Sequence, residues 1–201
     1  MAESRRRFQR KLGQRRYRKL FVIVTEGSET EPLYFSLFNS LQSVIHVDCI
    51  RRGQTTSSPL HMLRRIENYL DRYGLEPSDE AWLVVDRDQW DPYQLDQLHV
   101  WTQKHRSYGL ALSNPKFEYW LLLHFEDGTG IRSSQDCDDR LKRYLPNYNK
   151  KVHAHQFSLG LIDSAIHRAR KRDFPPCADW PRSMGITTVY RLVERLIPQD
   201  T

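Results

Sequence analysis

The sequence predicts an α/β protein with an open, mostly parallel sheet flanked by helices and a helical C-terminal extension. Apolar runs of strand length recur up to residue 114, and stretches with helical spacing separate them. From about residue 115 only helical patterns follow. Alternating strands and helices favour a parallel sheet with right-handed crossovers, and 201 residues are enough for one well-cored domain.

Four segments have the composition of buried strands. Each is rich in β-branched and apolar residues and is bounded by polar or turn residues. In chain order they are LFVIVTE, VIHVDCI, EAWLVVDRD and GLALSN. The first and the third of these segments end in acidic residues, which matters for the site considered below.

Apolar residues at helical spacing mark the segments between and after these strands. In TEPLYFSLFNSL, Leu33, Leu37 and Leu41 are predicted to share one stripe, and Pro32 fits the first helical turn. In LHMLRRIENYLDRYG, Gly74 is predicted to end the helix. The remaining helices are predicted at residues 93–105, in the apolar segment PKFEYWLLLHFE, and near 133–145, 156–171 and 186–197.

Basic charge is concentrated at the N-terminus. Nine of the 31 Lys and Arg residues lie within residues 1–19, against one of the 25 Asp and Glu residues. Such an arm attracts polyanions, because each phosphate that it neutralises releases counterions; a solvated tail is the alternative. We predict a flexible basic arm over residues 1–19 and one domain over residues 20–201. The residues predicted to bind nucleic acid are Arg5, Arg6, Arg7, Arg10, Lys11, Arg15 and Arg16.

Acidic residues end two of the buried strands. Glu26 ends the first, and Asp86 and Asp88 end the third. The carboxyl ends of parallel strands form the edge where ligands bind, and residues i and i+2 of a strand share a face. Carboxylates gathered without matching cations repel one another, and a hard divalent cation relieves that repulsion. The pattern predicts that Glu26, Asp86 and Asp88 bind Mg²⁺ (or Mn²⁺).

These acids also have structural interpretations. A D-x-D pair occurs often at strand ends by chance, and Glu26 alone could cap the following helix, where the helix dipole favours an anion. Glu29 and Glu31 would then be ordinary acids of the first helical turn. Acids at the ends of two separate buried strands are harder to explain in this way, which favours the metal site.

Four sequence blocks carry a family resemblance. They are VTEGSETEPLYF, VVDRD, SNPKFEYWLLLHF and TTVYRLVERL, and they cover most of residues 20–197. Together they resemble the RloB-like proteins, whose core is similar to a Toprim domain, and they occur in that family's order. The third block is the most specific. In the last block MGITTVY stands in place of a segment closer to Asn-Pro-Ser-Thr-Thr-Val.

The resemblance implies a Toprim-like (Rossmann-like) fold and a set of site residues. Glu26 corresponds to the glutamate after the first strand, and Asp86 and Asp88 correspond to the metal-binding acidic pair. Glu31 matches the Thr-Glu-Pro that follows Glu-Gly in the family. Glu29 has no such counterpart and is left out of the predicted site.

Three further residues are candidate functional groups. Glu118 follows the fourth strand, where it is either a functional acid facing the acidic edge or a core acid paired with Lys or Arg. Lys150 and Lys151 lie in a polar loop and could neutralise phosphate charge, although a solvated basic loop is the alternative. Nothing in the sequence separates them, and we choose Lys151. The predicted catalytic residues are Glu26, Glu31, Glu118 and Lys151.

By this resemblance we expect a Mg²⁺-dependent nuclease that hydrolyses nucleic-acid phosphodiesters in bacterial anti-phage, abortive-infection defence. DNA and RNA, including tRNA, are both open as substrates, and an ATPase is a candidate partner. The alternative class is a non-catalytic nucleic-acid-binding sensor or adaptor that works with an ATPase. A haloacid-dehalogenase-type phosphatase also uses D-x-D, but on its first strand, whereas DRDQW follows the third strand here.

Composition sets the expected compartment. No apolar run is long enough to cross a bilayer, so no membrane partner is expected. Cys49, Cys137 and Cys177 are widely spaced and form no C-x-x-C pair, which favours reduced structural thiols over a disulfide framework or a zinc knuckle. We therefore expect a cytoplasmic protein. The sequence does not set the oligomeric state, and a homodimer stays open.

Overall fold

Five strands form one sheet in the computed structural model, which describes residues 19–41, 45–50, 58–87 and 90–197. The sheet is mostly parallel: the first four strands pair in parallel, and only the short fifth strand is antiparallel to its neighbour. The strands are β1 (Lys19–Thr25), β2 (Ile45–Ile50), β3 (Glu80–Asp86), β4 (Tyr108–Asn114) and β5 (Ile186–Thr187). Their spatial order is β2-β1-β3-β4-β5, which confirms the predicted α/β class.

Seven α-helices lie within the described part of the chain. The first three connect successive strands of the parallel sheet, and the last four follow β4. They are α1 (Thr30–Leu41), α2 (Pro59–Tyr73), α3 (Pro92–Thr102), α4 (Phe117–Leu122), α5 (Ser134–Tyr144), α6 (Leu159–Arg172) and α7 (Val189–Leu196). A short 3-10 helix at Ala154–Gln156 precedes α6. None of the described helices is long and apolar enough to cross a membrane.

Helices cover both faces of the sheet, and this explains the continuous apolar runs in the strands. Along β1, Phe21 and Ile23 belong to a core formed with α1 and α4 to α7. Val22 and Val24 alternate with them and pack on the opposite face with residues of α2 and α3. Because successive side chains of a strand point to opposite faces, a strand buried on both sides must be apolar throughout.

Most predicted elements are confirmed, with two differences. The C-terminal segment predicted as one helix over 186–197 begins instead with β5, whose Thr187 pairs with Ser113 of β4. The predicted apolar stripe of α1 is also wrong for Leu33, which is 37% exposed. Aromatic residues Tyr34 and Phe38 form the buried face of this helix, because bulky rings fill the space beside α4.

Candidate functional site

Four acidic side chains lie at the carboxyl edge of the sheet. Glu26 directly follows β1, and Asp86 is the last residue of β3. Glu31 lies in the first turn of α1, and Glu118 lies in the first turn of α4, beyond the end of β4. The charges of Glu26, Glu31 and Glu118 all act on Asp86. The topology therefore brings acids from four separate segments to one place.

Glu26 joins the ends of β1 and β3. Its backbone N–H donates to the Val84 carbonyl at 3.1 Å, which extends the pairing of the two strands by one residue. Its carboxylate accepts from the Asp86 backbone N–H at 3.1 Å and from the Trp90 indole N–H, also at 3.1 Å. These two bonds fix the half-buried carboxylate beside Asp86, where an acid at the end of β1 can share a ligand with β3.

Glu31 is buried against Gly27. The Gly27 backbone N–H donates to Glu31 Oε1 at 3.0 Å, and a Cβ at position 27 would overlap the Glu31 carboxylate. Only glycine permits this close approach. Burial raises the pKa of Glu31, and the nearby charge of Glu118 raises it further, while backbone hydrogen bonds oppose the shift. Glu31 thus lies buried within the acidic cluster, and Glu29 is exposed on the preceding loop.

Asp86 has a strongly raised pKa. Its burial, followed by the charges of Glu31, Glu26 and Glu118, holds its pKa well above the usual value of 3.8. A backbone hydrogen bond from Phe117 at the start of α4 opposes this shift without cancelling it. Like charges gathered in a partly desolvated space disfavour ionisation, so Asp86 takes up a proton or a cation more readily than an exposed aspartate.

Glu118, in contrast, is compensated. It is 3% exposed, and its Oε1 accepts from the Tyr148 hydroxyl at 2.8 Å and from the Lys150 ammonium in a close ion pair. Burial alone would raise the pKa of Glu118, but Lys150, with Lys116 and Tyr148, lowers it below its usual value. Glu118 therefore stays ionised, with Lys150 as its counterion.

The lysine beside the cluster is Lys150 and not Lys151. Lys150 adopts a positive φ of 59°, which is uncommon for a residue other than glycine, and its ammonium lies on Glu118. Lys151 is exposed. The sequence-based choice of Lys151 thus lacks a structural reason, because the backbone turn at position 150 directs the other lysine to the acids. A catalytic role of Lys151 stays a prediction.

Several predicted site residues lie outside the described residues. Asp88 is one of them, so the predicted placement of both aspartates on one side of β3 stays a prediction. The basic residues predicted to bind nucleic acid also lie outside the described part of the chain; they are Arg5, Arg6, Arg7, Arg10, Lys11, Arg15 and Arg16. Lys19, the last residue of the predicted arm, is the first residue of β1.

Sequence reasoning missed the supports of the acidic cluster. Trp90 holds Glu26, while Tyr148 and Thr30 connect the 148–150 segment to Glu118 and to the start of α1. Their only sequence signal is position, since Trp90 follows the D-x-D pair and Tyr148 lies two residues before Lys150. Long-range contacts of this kind do not follow from local pattern.

The donor chemistry of the cluster suits a hard cation. Carboxylate oxygens are the ligands that Mg²⁺ and Mn²⁺ prefer, and Mg²⁺ commonly takes one or two carboxylates while keeping several waters. Asp86 and Glu26 supply two such groups, and the Asp86 backbone N–H donates to the Glu26 carboxylate at 3.1 Å. Among the residues that the structure describes, no three His, Cys, Asp or Glu side chains form a group that could hold a metal ion.

Fold and site together define an α/β protein whose mostly parallel open sheet carries an acidic site at its carboxyl edge. A family model described as "RloB-like protein" matches residues 21–196, and the chain therefore belongs to the RloB-like family. The sheet is compatible with the Toprim-like fold that the sequence resemblance implies. Comparison with curated proteins and with solved structures found no match.

Proposed function

We propose that this chain is a metal-dependent nuclease that hydrolyses nucleic-acid phosphodiesters. The observation that supports this proposal is the placement of Glu26, Asp86, Glu31 and Glu118 at the carboxyl edge of the sheet, where burial and the other three acids raise the pKa of Asp86. Strongly perturbed acids at a ligand-binding edge are typical of functional sites. Excess negative charge at this edge favours a divalent cation and a phosphate-containing substrate bound through it.

Each acid has a role in this proposal. Asp86 and Glu26, with Asp88 from outside the described residues, would hold Mg²⁺ or Mn²⁺. When bound, the cation would polarise the phosphate and lower the pKa of a water molecule. Glu31 keeps a proton to higher pH than an exposed glutamate, which suits a general acid beside a leaving oxygen. Glu118 holds Lys150 in place.

The basic arm would supply sequence-independent affinity. Its arginines would contact phosphates, so binding of a polynucleotide should weaken steeply with salt. Because β1 begins at Lys19 and ends beside Glu26, Lys19 lies at the edge of the sheet opposite the acids. A bound strand would therefore contact the protein at both ends of β1.

The test is cleavage of plasmid DNA, single-stranded DNA, single-stranded RNA and tRNA with Mg²⁺, Mn²⁺ or EDTA. Asp86→Asn should lower the metal-dependent rate by at least about 10²-fold. Glu29→Gln is the matched control, because Glu29 is an exposed acid on the loop between β1 and α1, and it should cleave like wild type. Metal-dependent cleavage that survives Asp86→Asn would overturn the site assignment.

One observation favours a second function, a non-catalytic nucleic-acid-binding sensor or adaptor. Glu118 is already neutralised by Lys150, so part of the acidic cluster is stable without a metal. An adaptor would bind nucleic acid equally well in EDTA and would leave every substrate intact, with or without an added ATPase partner. Electrophoretic mobility shift and cleavage assays on the same samples separate the two functions.

The defence role and the ATPase partner rest on the family resemblance alone. Bacteria that express the wild-type chain should survive phage infection better than bacteria that express Asp86→Asn, if nuclease activity carries the protection. Equal protection by both would favour the adaptor. Gel filtration with light scattering would show whether the chain is the homodimer that the sequence left open.

A further inference from the structure

Lys150 is anchored in the acidic cluster at both its ends. Its ammonium lies on Glu118 Oε1, and its backbone carbonyl accepts from the buried Thr30 hydroxyl at 2.8 Å. Tyr148, two residues earlier, donates to the same Glu118 oxygen at 2.8 Å and lies 3.2 Å from Thr30 Oγ1. These contacts fix the 148–150 segment across the start of α1 and α4.

The charge of Lys150 reaches beyond Glu118. The Lys150 ammonium also interacts electrostatically with Asp86 and with Glu31, so it acts on three acids of the cluster. Lys116, the other cation that acts on Glu118, is engaged by Asp138 at 2.7 Å. The positive charge at the Glu118 side of the site is therefore built into the chain, whereas Glu26 and Asp86 lie together at the other side.

We infer that Lys150 occupies the position of a second metal ion, so that the chain binds a single divalent cation at Glu26 and Asp86. This inference rests on the proposed function and concerns how many cations the same site takes. Enzymes that cleave phosphodiesters with two metals place the ions about 3.5–4 Å apart, on shared carboxylates. Here Glu118, whose charge acts on Asp86, already accepts from an ammonium and a phenol hydroxyl.

Competition explains why a second ion is excluded. An ammonium group is a point charge with three donors, and its carboxylate partner Glu118 is 3% exposed. A second divalent cation at Glu118 would bring two positive charges close to Lys150 and would have to displace it. Removal of the ammonium leaves the buried Glu118 without its ion-pair partner, which favours binding of a cation.

The experiment counts bound Mn²⁺ by electron paramagnetic resonance on the full chain, without nucleic acid. Wild type should bind about one ion, and Lys150→Met and Lys150→Gln should each bind about two, as two-metal sites do. Lys150→Arg keeps the charge and should bind about one. Lys151→Met is the matched control, because it removes an adjacent exposed lysine. It should also bind about one ion.

The outcomes separate this inference from the proposed function. Two ions on wild type, or one ion on Lys150→Met and Lys150→Gln alike, would overturn the role of Lys150 and leave the metal site standing. No bound ion on wild type would overturn the metal site and with it this inference. The Lys150 side chain is 59% exposed, so its truncation should leave the fold intact, and circular dichroism of each variant verifies this.

Discussion

Both ends of the sheet carry buried acids, but the surroundings shift the pKa of Glu80 at one end and of Asp86 at the other in opposite directions. At the amino edge, Glu80 begins β3 and is 4% exposed. It accepts from Lys19 at 2.6 Å, from Arg195 at 2.6 and 2.9 Å, and from the Trp82 indole at 2.9 Å. Burial would raise the pKa of Glu80, but these donors outweigh it and lower the pKa.

At the carboxyl edge the same strand ends in Asp86, whose pKa is raised by burial first and then by the charges of Glu31, Glu26 and Glu118. A buried charge with matched donors stabilises a fold only modestly but is costly to break, whereas unmatched charges destabilise the fold until a ligand neutralises them. The comparison teaches that burial alone does not decide the direction in which the pKa of an acid shifts. The sign of the surrounding charge decides it.

The largest expected effect is a loss of stability at the amino edge, where Glu80 pairs with Lys19 and Arg195. Glu80→Ala should lower the free energy of unfolding by about 3 kcal/mol, because it leaves Lys19 and Arg195 without their acceptor. Chemical denaturation at neutral pH measures this loss. Glu76→Ala, an exposed acid of the preceding turn, should change stability by less than about 0.5 kcal/mol. Equal effects of the two variants would remove the contrast between the edges.

Metal binding at the carboxyl edge should produce the next largest effect, a gain in stability. Mg²⁺ or Mn²⁺ at about 100 times its dissociation constant should stabilise wild type by about 2.7 kcal/mol, seen as a rise in melting temperature. Asp86→Asn should abolish this rise, and Glu80→Ala should keep it although its starting stability is lower. A metal-dependent rise that survives in Asp86→Asn would place the cation elsewhere.

Gly27→Ala should sharpen the account of Glu31. The added methyl group would overlap the Glu31 carboxylate, so stability should fall by about 1–3 kcal/mol. Gly160→Ala is the control, because a Cβ there contacts nothing within 4 Å and alanine favours the α6 helix by up to about 1 kcal/mol. Thermal unfolding of both variants checks the difference, and a neutral Gly27→Ala would show that Glu31 is free to move.

The smallest effect is a pH-dependent gain. The folded protein raises the pKa of Asp86 above its usual 3.8, so the stability contributed by its proton is complete below that value and is lost as pH rises through the raised pKa. In EDTA, Asp86→Asn should therefore match wild type near pH 4 and exceed it by about 1 kcal/mol near neutrality. Melting temperatures across this range measure the gain.

The exposed Asp71 gives the control for this pH series. Asp71→Asn should follow wild type at every pH, since Asp71 lies on the outer surface of α2 and outside the acidic cluster. A gain for Asp86→Asn that is already present at pH 4, or that shrinks as pH rises, would contradict the assigned sign. Glu80 should act in the opposite direction, because its lowered pKa contributes stability that is lost as pH falls.

Local pattern predicted the strands, the helices and the acids at the strand ends. Glu26 and Asp86 were identified because buried strands are apolar throughout and a terminal acid interrupts them. The position of Lys150 beside the acidic cluster was not predictable, because it depends on a backbone turn and on a contact with Glu118, 32 residues away. The two-residue strand β5 was missed because so short a segment shows no periodicity.

The family resemblance included Glu31 in the predicted site and left out Glu29. Glu31 is buried beside Gly27 as a member of the cluster, whereas Glu29 is exposed on the preceding loop. The assignment of Glu31 to the site, without Glu29, stays a prediction. Local pattern could not distinguish these two acids, because both lie at the predicted start of the same helix. In the structure Glu29 precedes α1, whereas Glu31 lies in its first turn and accepts from the Gly27 backbone N–H.

The most direct test of the central claim is a crystal structure grown with Mn²⁺, with anomalous diffraction recorded at the manganese edge. The acidic cluster at the carboxyl edge should show one anomalous peak within coordination distance of Asp86 and Glu26, and Lys150 should stay on Glu118. A structure in which manganese binds elsewhere, or in which a further cation completes the pairing of these acids as Lys19 and Arg195 do for Glu80, would contradict it.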